Sequence, residues 1–108
     1  RTPTRGESLI GGAAAALVLM TKALAMELAR LDTGIAVNAI QAGVTDTPAL
    51  RKIPGAVRML EVARAKNPGR RLTTPEDVAH AMVLLCEDGA HWVSGNVIGV
   101  DGGEDVLG

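Results

Sequence analysis

The sequence predicts an α/β protein built on a parallel sheet, and three observations carry that prediction. First, in residues 35–40 Ile35, Val37 and Ile40 supply β-branched core, while Ala36 and Ala39 are small enough for helices to press on both faces. Such a run belongs in the middle of a parallel sheet. Second, the segments before and after it are patterned as helices rather than as further hairpin strands. Third, a second short apolar run, residues 96–100, comes after the helical segments and is predicted as a last strand.

In chain order, residues 1–8 read as loop, with Pro3, Gly6 and mixed charge, and Ser8 as a candidate helix cap. A helix is predicted over residues 13–31, from Ala13 to Leu31. Leu17, Met20, Leu24, Leu28 and Leu31 share one face, and Ala13, Ala16, Leu19 and Ala23 line much of the rest. A helix so apolar is predicted to be buried on most sides, against a sheet and a second surface. Gly34 provides the turn that ends it.

The stretch 33–50 organises the chain: a buried strand running into a Gly-containing loop and then a helix start. Ligands of open α/β sheets bind where strands give way to loops, so residues 41–48 are the predicted functional segment. Thr47 and Pro48 mark a helix start as N-cap and first-turn proline. Pro54-Gly55 breaks that helix, and a second runs from Ala56 to about Lys66, with Arg51, Lys52, Arg58, Arg64 and Lys66 as a basic, solvated face. Asn67-Pro68-Gly69 is a turn. Thr73-Thr74-Pro75-Glu76-Asp77 then opens a helix predicted to reach Asp88 before Gly89 stops it. Asp101-Gly102-Gly103 turns the chain after the last strand.

Composition narrows the function classes. At 108 residues there is one domain at most, and 47% apolar residues exclude a disordered chain. Net charge of −1 gives no reason for nucleic acid as partner. No uninterrupted apolar run has the length of a membrane span, so no membrane partner is expected. The single Cys86 lies in an apolar helical pattern and reads as a buried, inert thiol in a reducing, cytoplasmic setting. His80 and His91 with one cysteine make no metal site. The chain opens on Arg1 without a signal-peptide pattern, and the polypeptide is expected to begin further upstream.

Five motifs in order resemble the C-terminal part of the short-chain dehydrogenase/reductase family. They are Lys22-Ala-Leu-Ala-Met-Glu-Leu-Ala29, Ile35-Ala-Val-Asn-Ala-Ile40, Ala42-Gly-Val-Thr-Asp-Thr-Pro48, Thr74-Pro-Glu-Asp-Val-Ala79 and Ser94-Gly-Asn-Val-Ile-Gly-Val-Asp-Gly-Gly103. The resemblance implies the C-terminal portion of a Rossmann-type doubly wound parallel sheet. Residues 1–108 would then be the C-terminal part of one domain whose N-terminal dinucleotide-binding half is absent. Ala42-Gly43 where the family has Pro-Gly, with the spacing of residues 49–70, is most similar to the NADPH-dependent enoyl-acyl-carrier-protein reductases. A 3-oxoacyl-acyl-carrier-protein reductase is the alternative.

The resemblance implies NADPH or NADH as cofactor and an acyl thioester on a carrier protein as substrate. It also implies a homo-oligomer or an upstream half meeting the helix over 13–31. It places the nicotinamide end at Gly43, Val44, Thr45 and Thr47. Gly43 admits close backbone approach, the Val44 amide and carbonyl are free to pair with a carboxamide, and Thr47 meets phosphate oxygens at a helix start.

The family's catalytic Tyr and Lys are missing. Alignment on Leu17 and on residues 22–29 puts the Lys at Ala14. The Tyr falls at Ile10 in ketoacyl-type spacing or at Glu7 in enoyl-type spacing, and the chain contains no Tyr. A Lys lowers the Tyr pKa and holds the ribose, and Ala14 does neither. Glu7 lies in a predicted loop flanked by Gly and Arg, a poor setting for a raised carboxyl pKa. No Gly-rich phosphate loop follows a strand; Gly11-Gly12 has the wrong context. An inactive fragment, a pseudoenzyme or an oligomerising remnant is therefore expected, with three or four helices around two core strands.

Overall fold

A computed structural model of the chain describes residues 5–107, with side chains from residue 12 to residue 105. The elements run α1 (Arg5–Arg30), β1 (Ala39–Ala42), α2 (Pro48–Arg51), α3 (Ala56–Lys66), α4 (Pro75–Leu85) and β2 (Val97–Val100). A 3-10 turn at Asp88–Ala90 precedes β2 and another at Glu104–Leu107 follows it. β1 and β2 form a two-stranded sheet. Ala39 N donates to Asn96 O at 2.9 Å and Gly43 N to Val100 O at 3.0 Å, so the strands are parallel in constant register. Parallel neighbours need a long crossover, here supplied by α2, α3 and α4.

Two compact units emerge, Arg1–Ala39 with Asp88–Val97, and Ile40–Glu87 with Ile98–Gly108. In the first, Thr21 and Ala25 of α1 are buried, and Lys22 Nζ donates to Gly95 O at 3.0 Å. Gly95 has φ 79° and stands opposite Ala25, where an added Cβ would meet the Ala25 Cβ at 3.7 Å. Val37 N donates to Ser94 Oγ, Asn38 Nδ2 to Val93 O and Asn96 N to Asn38 Oδ1. Side chains from one segment thus satisfy the backbone of the other where regular ladder pairing has not yet begun.

In the second unit, Ala56 and Leu60 of α3 are buried with Asn67 and Thr73. The helix starts follow the sequence closely. Thr47 Oγ1 accepts from Leu50 N at 3.1 Å and Pro48 opens α2. Gly55, at φ 80°, separates α2 from α3. Thr74 and Asp77 form a reciprocal capping box at α4: Asp77 N donates to Thr74 Oγ1 at 3.1 Å and Thr74 N to Asp77 Oδ2 at 2.8 Å.

Several expectations are corrected. α1 begins at Arg5, so Glu7 and Ile10 lie within helix rather than loop; their side chains lie outside those described, as do residues 1–4 altogether. α1 is not buried on most sides: Leu17, Leu19, Met20, Leu24 and Leu31 are exposed. The apolar pattern was read correctly as helical, but periodicity fixes which face is apolar, not whether this chain contains its cover. Asp32, at φ 56°, turns the chain before Gly34 at φ 73°.

The first strand is Ala39–Ala42 rather than residues 35–40, so Gln41 and Ala42 are ladder and not loop, and Ile35 is exposed. The second is Val97–Val100, one residue shorter than expected. α4 ends at Leu85, with Cys86 as its C-cap and exposed, not buried. The helix stops before the glycine because Asp88–Ala90 tightens into a 3-10 turn of its own. Finally, Gly12–Arg30 is long and apolar enough by length and composition to cross a bilayer, contrary to expectation. The same composition suits a helix covered by protein, and Lys22 within it is bound to the backbone of its own unit.

Candidate functional site

The loop leaving β1 lies wholly in the second unit and is enclosed by three segments of it: the Asn67–Thr73 connection, the turn after β2, and Glu104. Gly43 is where they converge. A Cβ there would collide with Thr73 Oγ1 and would stand 2.9 Å from Asp101 Cβ and 3.0 Å from Asp101 Cα. Close approach is needed at Gly43, as the sequence suggested, but the backbone and side chains that approach belong to this chain.

Val44 is bound on both sides. Its N–H donates to Glu104 Oε2 at 3.1 Å, and its carbonyl accepts from Thr73 N at 3.2 Å. Thr45 pairs with Thr73 in an isolated parallel bridge, and its hydroxyl donates to Gly43 O at 2.9 Å. The loop is therefore fixed at consecutive residues by an extension of the parallel register. Asp46 accepts from Arg51 Nε and Nη2, each at 2.6 Å, an exposed bidentate pair that ties the loop to α2. That contact holds the Asp46 carboxyl below its usual range.

The enclosing segments are braced by Asn67, 4% exposed, whose Nδ2 donates to Asp101 O at 2.9 Å and whose Oδ1 accepts from Gly69 N at 2.8 Å. Asp101 in turn accepts from Gly103 N and Asp105 N. Arg71 pairs with Asp77 at 2.6 Å, and this contact, followed by the Thr74 backbone hydrogen bond, holds the Asp77 carboxyl far below its ordinary value. Beside the loop lies a groove of about 760 Å³, walled by Val44, Met59, Val62 and Ala63, with Lys66 and Glu104 among its polar members.

Gly43, Val44, Thr45 and Thr47 are thus brought together as one loop. In the loop as it stands, Glu104 and Thr73 hold the Val44 N–H and carbonyl, the two groups with which a carboxamide would pair. The Thr47 hydroxyl accepts from the N–H of Leu50 as the cap of α2, which spans four residues. Ala14 stands exposed on α1 and offers neither charge nor donor. Among the described residues no cluster has metal-binding composition. Glu104 and Thr73 were missed by sequence reasoning. The contact to Glu104 joins residues 60 apart, and no local pattern announces it.

Comparison with known proteins follows the same line. Residues 2–104 match the family described as enoyl-(acyl carrier protein) reductase. A 3-oxoacyl-[acyl-carrier-protein] reductase of Thermotoga maritima is 38% identical over 98 residues, covering 91% of this chain and 38% of the relative. The enoyl-[acyl-carrier-protein] reductase [NADH] of Aquifex aeolicus is 36% identical over 101 residues, covering 94% of this chain and 37% of the relative. Among solved structures, a Bacillus cereus enoyl-acyl carrier protein reductase with NADP+ and indole naphthyridinone superimposes with TM-score 0.82 at 38% identity. That match covers 91% of this chain and 37% of the other. The chain therefore spans less than half the length of the relatives it matches.

Proposed function

The chain belongs to the enoyl-(acyl carrier protein) reductase family of the short-chain dehydrogenases/reductases, and on that premise we propose that residues 1–108 are the C-terminal part of one such domain and do not turn over alone. The fold is a partial Rossmann-type α/β fold, and relatives of the chain are oxidoreductases of a nicotinamide cofactor. The reaction proposed for the complete protein is reduction of an enoyl thioester carried on an acyl carrier protein, in the cytoplasm, with NADH or NADPH. When bound, the cofactor supplies the hydride; the share of this chain is the loop Gly43, Val44, Thr45 and Thr47, which would bound the nicotinamide end.

The observation that carries the inactive reading is the absence of any Tyr, with Ala14 at the position of the cofactor-holding Lys. A carboxyl at Glu7 or an aliphatic group at Ile10 supplies no phenolic proton. The exposed apolar face of α1, including Leu17, Met20 and Leu24, fits the further proposal that an upstream half or a second copy covers this helix. The Thermotoga maritima relative, 38% identical over 98 residues, supports a second reading, a 3-oxoacyl-acyl-carrier-protein reductase.

The test is cofactor oxidation by the purified chain with an enoyl and a 3-oxoacyl thioester in parallel, beside the Aquifex aeolicus enzyme as positive control. No turnover with either is expected. Turnover with either substrate overturns the inactive reading, and turnover with the 3-oxoacyl substrate alone also transfers the family role to the second.

A further inference from the structure

We infer that Glu104 is a displaceable latch on the loop after β1: its carboxylate occupies the Val44 N–H and must leave before the carbonyl oxygen of an external carboxamide can take that amide. The ligand class rests on the nicotinamide reading given above; the latch itself rests on contacts within the second unit.

The first of these is the 3.1 Å hydrogen bond from Val44 N to Glu104 Oε2. The second is what the same carboxylate leaves undone. Glu104 Oε1 is buried and has no hydrogen-bond partner among the described residues. An ionised carboxylate has several acceptor sites, and a buried one that fills only part of them is disfavoured relative to a solvated one. The closed arrangement therefore keeps the Val44 amide satisfied at the expense of the Glu104 carboxylate. An incoming neutral carbonyl would reverse that: it satisfies the N–H and releases the carboxylate toward water.

The backbone beneath is built for such a release. Gly102 and Gly103, at φ 62° and 87°, turn the chain directly before Glu104. Asp101 anchors the turn independently, accepting from Gly103 N at 3.0 Å and Asp105 N at 3.2 Å, with Asp101 O accepting from Glu104 N at 3.1 Å. The side chain can thus swing while its own backbone stays tethered. Lys66 lines the same groove as Glu104 and offers a cation to the released carboxylate. Thr73 has no such freedom, since its hold on Val44 is made by backbone within the parallel bridge.

Two variants test the latch in the intact chain. Glu104→Ala removes the acceptor; Glu104→Asp keeps the charge but shortens its reach by one methylene. Hydrogen exchange of the Val44 amide should accelerate about tenfold in both, the scale of losing one charge-assisted hydrogen bond, while the Thr73 amide keeps its native protection. An unchanged Val44 rate in both overturns the latch. If Glu104→Ala also releases Thr73, the loop itself has opened and Glu104→Asp decides.

Titration with nicotinamide itself, read by the NMR shift of the Val44 amide, tests the competition at the loop alone. The variants should bind about tenfold more tightly, with Val44 protection restored by ligand. Equal or weaker binding overturns the competition and leaves the cofactor reading standing. No nicotinamide-dependent shift in the native chain or in either variant overturns the carboxamide reading of the loop and the competition together, and the exchange result still decides whether Glu104 holds the amide.

Discussion

Replacing Gly43 by alanine drives a methyl group into Thr73 Oγ1 and to within 2.9 and 3.0 Å of Asp101 Cβ and Cα. Thr73 is 5% exposed, and its backbone is held to Val44 O. Asp101 Cα belongs to the backbone that Asn67 braces, so it moves only with the whole turn. Overpacking of this kind costs about 1–3 kcal/mol, roughly a tenfold to hundredfold shift in a local opening equilibrium. The assay is hydrogen exchange at two reporter amides, Gly43, which donates to Val100 O, and Thr73, which donates to Val44 O. Both should accelerate together in Gly43→Ala, and adding Thr73→Ala should recover only part, because the Asp101 contacts remain. Gly12→Ala is the control of opposite sign: nothing lies within 4 Å of its added Cβ, and α1 should gain about 0.5–1 kcal/mol. Native exchange rates at both reporters in Gly43→Ala would refute the reasoning.

Thr74→Ala removes the capping-box acceptor for Asp77 N and should weaken the start of α4 by about 1 kcal/mol, measured as faster exchange of the Asp77 amide. Asp77 and Asp46 both have carboxyl pKa values lowered by their arginine partners, so each favours the folded state above the ordinary carboxylate range and loses that contribution as pH falls through its folded value. An acid titration of stability should therefore fall less steeply in Asp77→Asn than in the native chain; identical profiles would count against the Arg71 pairing. Trp92, 89% exposed, should fluoresce as a water-exposed indole and be freely quenched by iodide; a protected, blue-shifted emission would show that another surface covers it.

Local chemistry was legible in the sequence wherever neighbours in the chain decide it. Thr47-Pro48 and Thr74 through Asp77 mark helix starts by capping alone, Pro54-Gly55 marks the break before Ala56, and the structure places them as read. Legibility failed where partners are distant in the chain or not among the described residues. The β-branched run at 35–37 reads as central strand, yet Ile35 is exposed and the ladder begins only at Ala39. Cys86 sits in an apolar pattern whose covering surface the described residues do not supply. Gly43 was recognised as a place of close approach, but Thr73 and Asp101 as the approaching groups, and Glu104 on Val44, follow from tertiary register that no local spacing encodes.

The proposal that residues 1–108 are part of a larger fold implies that they do not persist as a monomer. Among the described residues only Ala25, Ala56 and Leu60 are buried hydrophobics, while Leu17, Met20, Leu24, Met82 and Leu84 face outward. Sedimentation equilibrium of the purified 108-residue chain, combined with calorimetry on the same sample, tests this directly. Self-association is the predicted result. A monodisperse monomer that melts cooperatively would contradict it.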